Sequence, residues 1–399
     1  MTLNSSKIDS GLHQNHRSRI STVLLTGPTG FLGSHMIDPL LKVGTPKIFL
    51  LSRSSPNGSA AERALDAFNF TRSESERITS FQDLSPAEIK VLDGDISLPD
   101  LGLETRTIDK VRSEIGAVLN TAGIVSFEVN PDNKRQLQAV NIDGTNNLLD
   151  ICEESGAELY HTGTAYLEVD KTPSRQEISE EILYPPDLKQ CNHPYEWSKR
   201  AGDQAIYQHR NQVSSLIFRP TIIIGQTPEG KNPGYISSIT GTYGFFKALW
   251  VLRDRFKGDL HLPGNPNAYI NMIPVDWMAQ KMVAIMQQGI QENSLGVDIV
   301  NLAAESPLTY EQVIAAFGSI LNKNITINPD FNKDQASQIE RIIYEQIKRY
   351  LAYVTAELHF SIDELKKRNL NDQGQEITLD SFKKMMKKIA KENFKIPNI

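Results

Sequence analysis

Short runs of apolar residues alternate with amphipathic stretches from Ile20 onward, and this pattern predicts strands that alternate with helices. The predicted strands are 20–26, 47–53, 89–95, 117–120, 158–166 and 213–225. The predicted helices between them include 34–44, which Pro39 is expected to kink or shorten, 136–156 and 194–210. Near-continuous apolar strands joined by helices indicate a parallel sheet that is covered on both faces. We therefore expect an α/β protein with a doubly wound, Rossmann-like sheet.

The pattern changes after Gly225. Residues 226–244 are rich in Gly and Pro and predict a long loop, whereas the chain beyond about residue 305 is mostly helical, with candidate helices at 309–321, 336–358 and 378–394. The predicted organisation is a flexible arm at 1–19, the sheet domain at 20–225, a loop region at 226–264, a return to the sheet domain at 265–304, and a smaller helical domain at 305–399 that packs over the carboxyl edge of the sheet.

Composition excludes several classes of protein. The 399 residues carry 42 Lys and Arg against 48 Asp and Glu, so the net charge of −6 argues against a general electrostatic binder of nucleic acid. The two cysteines, Cys152 and Cys191, cannot form a disulfide framework, and the eight histidines show no metal-binding spacing, so we expect no metal site. The chain contains neither a signal-peptide pattern nor an apolar stretch of ~20 residues, and we expect a cytoplasmic protein without a transmembrane segment.

The sequence GPTGFLG, between the first strand and the first helix, predicts a dinucleotide-binding turn. Gly27 suits the tight turn, Gly30 lets the backbone approach a pyrophosphate, and Gly33 permits close packing of helix and strand. The N-terminus of the helix adds free N–H groups and a positive dipole for the phosphates.

The end of the second strand bears on the choice of cofactor. An acidic residue there would bind the 2′-hydroxyl of NAD, but this chain has Arg53, which suits the 2′-phosphate of NADP. Arg63 is either a second ligand of that phosphate or a solvated surface arginine.

Tyr195 and Lys199 form a Y-x-x-x-K pattern at the start of a predicted helix. Their spacing places both side chains on one helical face, where an ammonium is expected to lower the pKa of the phenol so that it exchanges a proton near neutral pH. The preceding strand ends in HTGTAY, in which Thr164 is a candidate hydrogen-bond donor to a carbonyl oxygen. His161 on that strand is predicted to be a hydrogen-bonded interior residue.

These motifs, together with LDGDI at 92–96, NTAG at 120–123, AVNIDGTNNLL at 139–149 and FRPTIIIG at 218–225, resemble the extended short-chain dehydrogenase/reductase superfamily over roughly residues 20–310. The resemblance implies that Thr164 is the catalytic hydroxyl, Tyr195 the proton donor, and Lys199 the ribose ligand that tunes the pKa of Tyr195. It also implies a cofactor-binding set, in which Asn141 has a structural or proton-relay role: Gly27, Thr29, Gly30, Phe31, Leu32, Gly33, Arg53, Arg63, Asp95, Ile96, Thr121, Ala122, Gly123, Asn141, Tyr195, Lys199 and Pro220.

Within the superfamily, the chain looks most like thioester reductases and fatty acyl-CoA reductases, the male-sterility-type subgroup. The long connection after Arg53, the stretch VLDGDISLPDLGL at 91–103, and the segments PGYISSITGTYGFF and IPVDWMAQ carry this similarity. It implies an NADPH-dependent reductase of an acyl thioester, on CoA or on an acyl carrier protein, that forms an aldehyde and leaves open a second reduction to an alcohol. Residues 226–264 are then a substrate-side loop region, and 305–399 a substrate or lid domain.

Two alternatives to this function stay open at this point. The chain is also compatible with an extended short-chain dehydrogenase or epimerase that acts on another carbonyl or hydroxyl substrate, and less so with a nucleotide-binding interaction protein.

The lysines of 383–391 form a basic helical face, which is either a solvated surface or a docking surface for an acidic carrier protein or CoA phosphates. Peripheral contact of this helix with a membrane is a weaker alternative.

Overall fold

The computed structural model describes residues 19–84, 86–167, 175–182, 191–236, 241–255, 258–291, 296–372 and 376–394. The predicted arm at 1–19 therefore lies outside the described residues except for Arg19.

Fifteen strands are present in the described part of the chain. In chain order they are β1 (Thr22–Thr26), β2 (Lys47–Ser52), β3 (Glu88–Asp93), β4 (Ala117–Asn120), β5 (Glu158–Thr162), β6 (Arg175–Ile178), β7 (Ser215–Pro220), β8 (Ile222–Ile224), β9 (Leu260–Pro263), β10 (Tyr269–Ile270), β11 (Met272–Pro274), β12 (Val297–Leu302), β13 (Leu308–Thr309), β14 (Ile325–Asn328) and β15 (Glu357–Phe360).

Seven of these strands form one parallel sheet in the order β12-β7-β5-β4-β1-β2-β3. The chain leaves β1 towards β2 and later returns on the other side of β1 as β4, so the strand order reverses between β1 and β4. In open α/β sheets, ligands bind at the carboxyl ends of the strands at such a switch point. The expected doubly wound, Rossmann-like sheet is confirmed.

Thirteen α-helices surround the sheet or follow it in the described residues. They are α1 (Phe31–Lys42), α2 (Ala60–Phe70), α3 (Thr105–Glu114), α4 (Pro131–Leu137), α5 (Gly144–Ser155), α6 (Pro194–Gln208), α7 (Gly241–Leu252), α8 (Val275–Gln288), α9 (Tyr310–Leu321), α10 (Gln338–Ile347), α11 (Leu351–Thr355), α12 (Asp363–Lys367) and α13 (Leu379–Asn393).

The two faces of the sheet have separate apolar cores because successive strand residues point to opposite faces. On one face, Val23 and Leu25 of β1 pack with α1, α2 and α8. On the other face, Leu24 of the same strand packs with α3, α5 and α6. Strands buried on both faces are the physical reason for the near-continuous apolar runs in the sequence.

A third core holds the C-terminal region together. Phe246 of α7 stacks on Phe317 of α9, with ring centroids 4.5 Å apart, and Phe382 of α13 packs on the same ring. Strand β14 of the C-terminal region pairs with β9. The segment Leu260–Pro263, which precedes residue 265, is therefore part of this C-terminal packing unit. The mostly helical C-terminal region expected from the sequence is confirmed, although its described residues also contain the three short strands β13, β14 and β15.

Several predicted elements have different boundaries. The predicted strand 213–225 is two strands, β7 and β8, because Thr221 between them donates its N–H to Leu302 and its hydroxyl to Asn271. The predicted helix 336–358 breaks into α10 and α11 at a 3₁₀ turn, Lys348–Tyr350, and ends in β15. Strand β12 was not predicted, and α1 continues through Pro39.

The described helices include none with both the length and the apolar character that a bilayer-spanning segment requires.

Candidate active site

The glycine-rich turn between β1 and α1 is closed so tightly that side chains cannot fit. Gly27 has a φ of +69°, and a Cβ there would lie 2.8 Å from the backbone of Ala122. A Cβ on Gly33 would lie 2.0 Å from the carbonyl oxygen of Gly27. No side chain caps α1 at Gly30, and Phe31, Leu32 and Gly33 form its first turn. This cradle, with Thr29 inside the turn, fits the pyrophosphate of a dinucleotide.

The carboxyl end of β2 carries two arginines beside an aspartate. Arg53 forms an ion pair with Asp95, at 3.1 Å from Nη1 to Oδ2, while 63% of its side chain remains exposed. Arg63 of α2 donates to the backbone carbonyl of Arg53. The other oxygen of Asp95 accepts from the backbone and hydroxyl of Ser97. The structure therefore brings together the two cationic groups of Arg53 and Arg63 and the Asp95 carboxylate at one edge of the sheet.

The segment after β4 runs past the glycine-rich turn towards α6. Thr121 donates its hydroxyl to the carbonyl of Thr26 at 2.6 Å, which ties β4 to β1. A Cβ on Gly123 would lie 3.2 Å from Lys199 Nζ and 3.5 Å from Asn141 Oδ1, so this glycine brings the loop against both side chains. Ile96 is buried and packs against Gly144, the first residue of α5.

Asn141 lies in a π-helical segment, Gln138–Asp143, between α4 and α5. Its amide oxygen accepts from the backbone N–H of Ile124, and its amide nitrogen donates to the carbonyl of Ile124 and to Ser198 Oγ. Such π segments are frequent at functional sites because they redirect a side chain. Here Asn141 joins the loop after β4 to helix α6, which fits the structural role that the resemblance implied.

The three proposed catalytic residues meet at the carboxyl end of β5. Thr164 follows this strand, where Ala165 N–H donates to the carbonyl of Pro220 at 2.9 Å, and the Thr164 hydroxyl lies close enough to the Tyr195 phenol to lower its pKa. Lys199 lies one helical turn after Tyr195 on α6, and its Nζ donates to the carbonyl of Thr162 at 2.8 Å. Both Thr164 and Lys199 are buried.

Burial dominates the ionisation of this group. It raises the pKa of Tyr195 to about 12, against the lowering effect of the hydrogen bond with Thr164. It lowers the pKa of Lys199 to about 8, and the nearby Asp203 carboxylate opposes this change. The expectation of a lowered Tyr195 pKa is therefore wrong: burial of the phenol raises it, and Tyr195 carries its proton at neutral pH.

A layer of buried polar residues supports the site from below. Arg219 of β7 donates from Nε and Nη2 to Asp203 Oδ2 at 3.0 and 2.8 Å, which forms a buried ion pair near Lys199. His161 is hydrogen-bonded to Asn120 at 3.0 Å and is almost fully buried. The prediction that His161 is an interior residue is confirmed.

Sequence reasoning did not find the aromatic residues that lie around Tyr195. Phe127 lies edge-on to Tyr195, with centroids 5.7 Å apart, and its ring also contacts His193 and Tyr350. Tyr353 is hydrogen-bonded to His193. Tyr350 and Tyr353 lie more than 150 residues after Tyr195, so only folding brings them together; no local pattern pointed to them.

Among the described residues, no group of three or more His, Cys, Asp and Glu side chains is arranged to hold a metal ion.

Comparison with known proteins identifies relatives. The chain is 26% identical over 290 residues to fatty acyl-CoA reductase wat of Drosophila melanogaster, covering 66% of this chain and 53% of the fly protein. It is 25% identical over 311 residues to the L-2-aminoadipate reductase large subunit of Penicillium chrysogenum, covering 74% of this chain and 20% of that subunit. The chain thus spans about half the length of the fly relative and less of the fungal one.

The terminal R domain from the myxalamid PKS-NRPS biosynthetic pathway has a similar structure, with a TM-score of 0.73, 16% identity, and coverage of 94% of this chain and 92% of that domain. At this identity the similarity shows a shared fold. The family described as Male sterility protein matches residues 25–282, which include the glycine-rich turn, Thr164, Tyr195 and Lys199. The chain belongs to the male sterility protein family of NAD-binding proteins.

Proposed function

We propose that this protein is an NADPH-dependent reductase of an acyl thioester and that Thr164, Tyr195 and Lys199 carry the reaction. The observation that supports this most directly is that Thr164, Tyr195 and Lys199 lie together at the same sheet edge as a glycine cradle that excludes side chains. The named relatives include reductases of fatty acyl-CoA and of L-2-aminoadipate, and solved relatives include a thiolation-reductase di-domain. These names favour an acyl thioester over another carbonyl substrate.

The chain's own residues divide the work as follows. When bound, the reduced nicotinamide supplies a hydride to the thioester carbonyl carbon. The hydroxyls of Thr164 and Tyr195 donate hydrogen bonds to the carbonyl oxygen, where negative charge develops. Tyr195 holds its proton at neutral pH and transfers it to that oxygen, which gives a thiohemiacetal. Breakage of the carbon–sulfur bond then releases the thiol and the aldehyde.

Lys199 has two roles in this proposal. Its ammonium is fixed by the carbonyl of Thr162 and lies beside Gly123, where the resemblance places a cofactor ribose. The same charge favours the phenolate that Tyr195 becomes after it gives up its proton. Asp203 favours the charged form of Lys199 in this buried position.

Arg53 and Arg63 support NADPH as the cofactor. Two guanidinium groups at the end of β2 provide planar donors for a 2′-phosphate. The Arg53 side chain is largely exposed, and Arg63 donates a hydrogen bond to the backbone carbonyl of Arg53. The Asp95 carboxylate positions the guanidinium of Arg53 through their ion pair.

The test is oxidation of NADPH by the purified protein with three kinds of substrate: acyl-CoA, acyl-carrier-protein thioesters, and minimal acyl-pantetheine. We expect turnover with at least one thioester and an aldehyde or alcohol product by mass spectrometry. Product identity decides whether one or two hydrides are transferred.

Nucleotide sugars and simple ketones serve as the comparison substrates. Oxidation of NADPH with these alone would replace the thioester assignment by that of a dehydrogenase or epimerase. Binding of NADPH without turnover of any substrate would favour a nucleotide-binding interaction protein.

A further inference from the structure

The C-terminal region reaches the proposed active site through a hydrogen bond at Tyr353. The hydroxyl oxygen of Tyr353, in α11, lies 2.6 Å from Nε2 of His193. His193 is the N-cap of α6, the helix that carries Tyr195. The ring of Tyr353 also lies edge-on to the ring of Tyr166, with centroids 5.4 Å apart. Tyr166 is two residues after Thr164 in the chain. Tyr353 therefore contacts both segments that carry the proposed reactive hydroxyls: the start of α6, with Tyr195, and the segment after β5, with Thr164.

The direction of the bond to His193 follows from the helix cap. The backbone N–H of Glu196 can only donate, and it lies 3.2 Å from His193 Nδ1, so Nδ1 is the acceptor. A neutral imidazole carries one N–H, which must then be at Nε2 and must donate to Tyr353. Burial lowers the pKa of His193 to about 4, so the ring is neutral at physiological pH.

Tyr353 accepts in this bond, which leaves its own O–H hydrogen available for donation. Within the described ranges, His193 is the hydrogen-bond partner of the Tyr353 hydroxyl and no acceptor for that hydrogen accompanies it. The rings of Tyr166 and His193 lie next to Tyr353, and Phe127 packs on the other side of His193. Tyr353 is partly buried, and an oxygen-bearing substrate beside Tyr195 would provide an acceptor for this hydrogen in place of solvent.

We propose that Tyr353 is a substrate-binding residue whose hydroxyl donates a hydrogen bond to an oxygen of the bound acyl thioester. His193 is the positioning residue, because its Nε2–H fixes the phenol oxygen and leaves the hydroxyl hydrogen free to donate to the substrate. This inference rests on the proposed thioester substrate and adds a recognition contact from the C-terminal region.

Two variants test this contact in the full chain. Tyr353→Phe keeps the ring, so KM for acyl-pantetheine should rise about threefold to tenfold, with kcat within about twofold and the Kd of NADPH unchanged. His193→Asn keeps an N-cap oxygen for α6 but removes the donor to Tyr353, so KM should rise in the same direction by a smaller factor. The double variant should resemble Tyr353→Phe alone, because both changes affect one interaction.

Tyr344→Phe is the control, since Tyr344 lies in α10 of the same region and stacks on Phe331. An unchanged KM in Tyr353→Phe, or an equal rise in the control, would overturn the inference. A rise that accompanies a weaker Kd for NADPH would also overturn it, because the effect would then be structural. If Tyr353→Phe does not fold, a parental KM in His193→Asn overturns it.

The parent protein separates this inference from the proposed function. Turnover of thioesters by the parent, with a parental KM in both variants, removes Tyr353 alone. A parent that reduces ketones or nucleotide sugars but no thioester overturns both assignments as stated, because the inferred contact is to an acyl thioester.

Discussion

Tyr195, the proposed proton donor, is held in its acid form by burial of its phenol. Its pKa is raised by burial and lowered by the Thr164 hydrogen bond, and the first effect is larger. We predict that Tyr195→Phe reduces kcat by about 10²–10⁴-fold, the usual contribution of general acid–base catalysis. Because only a hydroxyl is removed, the Kd of NADPH should stay within about twofold in a fluorescence titration.

Tyr207→Phe is the matched control, because Tyr207 lies on the same helix. Parental activity in a folded Tyr195→Phe protein would exclude Tyr195 as the proton donor.

Lys199 makes the stability of the protein depend on pH. Its pKa falls from 10.5 to about 8 on folding because of burial, so the unfolded chain binds more protons between these pH values. Through this group, the free energy of unfolding should rise with pH across that interval, by at most ~1.4 kcal/mol per pH unit. Lys199→Met should remove this rise.

Urea unfolding of both proteins at about pH 7.5, 8.5 and 9.5 measures the difference. Lys110→Met, an exposed lysine of α3, is the control. A constant difference between parent and Lys199→Met at all three pH values would contradict the prediction.

Arg53 is expected to discriminate between the two nicotinamide cofactors. Its exposed guanidinium would donate to the 2′-phosphate of NADPH, a charge-assisted contact of ~1.5–3 kcal/mol. Arg53→Ala should therefore weaken NADPH binding by about tenfold to a hundredfold and leave NADH binding nearly unchanged. Calorimetric titration with both cofactors measures this, with Arg106→Ala on α3 as the control. Equal affinities of the parent for NADPH and NADH would refute the assignment.

At the scale of single elements, the start of α1 depends on the missing side chain at Gly33. The helix lies so close to the preceding turn that a Cβ would reach 2.0 Å from the carbonyl oxygen of Gly27, which is backbone and cannot rotate away. We predict that Gly33→Ala destabilises the protein by ~1–3 kcal/mol or more, as overpacking does, and weakens NADPH binding at least tenfold.

Thermal unfolding and NADPH titration check this prediction. Gly258→Ala is the control, because a Cβ there meets no atom within 4 Å. Parental cofactor binding in Gly33→Ala would show that the close approach is not required.

At the scale of the whole molecule, α13 presents a basic face on the C-terminal region. Phe382, Met386 and Ile389 are buried in the third core, so the predicted division into a packed and a polar face is confirmed. Lys388 donates to the carbonyl of Pro233 at 2.6 Å, and Lys384 pairs with Asp380. In the part of the chain that the structure describes, Lys383, Lys387 and Lys391 form no ion pair within 4 Å.

If this face attracts an acidic carrier protein, changing Lys383, Lys387 and Lys391 to Glu should raise KM for a carrier-bound acyl group roughly tenfold at low salt. Added salt should reduce the effect, because exposed charges are screened over ~8–10 Å near physiological ionic strength. KM for acyl-pantetheine should not change. Equal rises for both substrates would make the helix structural, and no rise for either would leave a solvated face.

Local sequence patterns were sufficient to predict where the glycine-rich turn and the Tyr195–Lys199 pair lie in the fold. The turn Gly27–Gly33 and the pair Tyr195 and Lys199 are set by spacing within a few residues, and the fold brings both to one sheet edge as expected. The resemblance implied Asn141 as a structural or relay residue, but its bonds to Ile124 and Ser198 required the coordinates.

The sequence by itself determined the parallel sheet, its two covered faces and the position of the glycine cradle, because apolar periodicity and glycine spacing act over short distances along the chain. The tertiary structure decided the break at Thr221, the end of the predicted helix 336–358 and the aromatic contacts around Tyr195. Each depends on partners far away in sequence: Thr221 bonds to Asn271 and Tyr353 to His193. Tertiary burial also set the pKa of Tyr195, since the loss of water around the phenol outweighs the local charges that sequence spacing predicts.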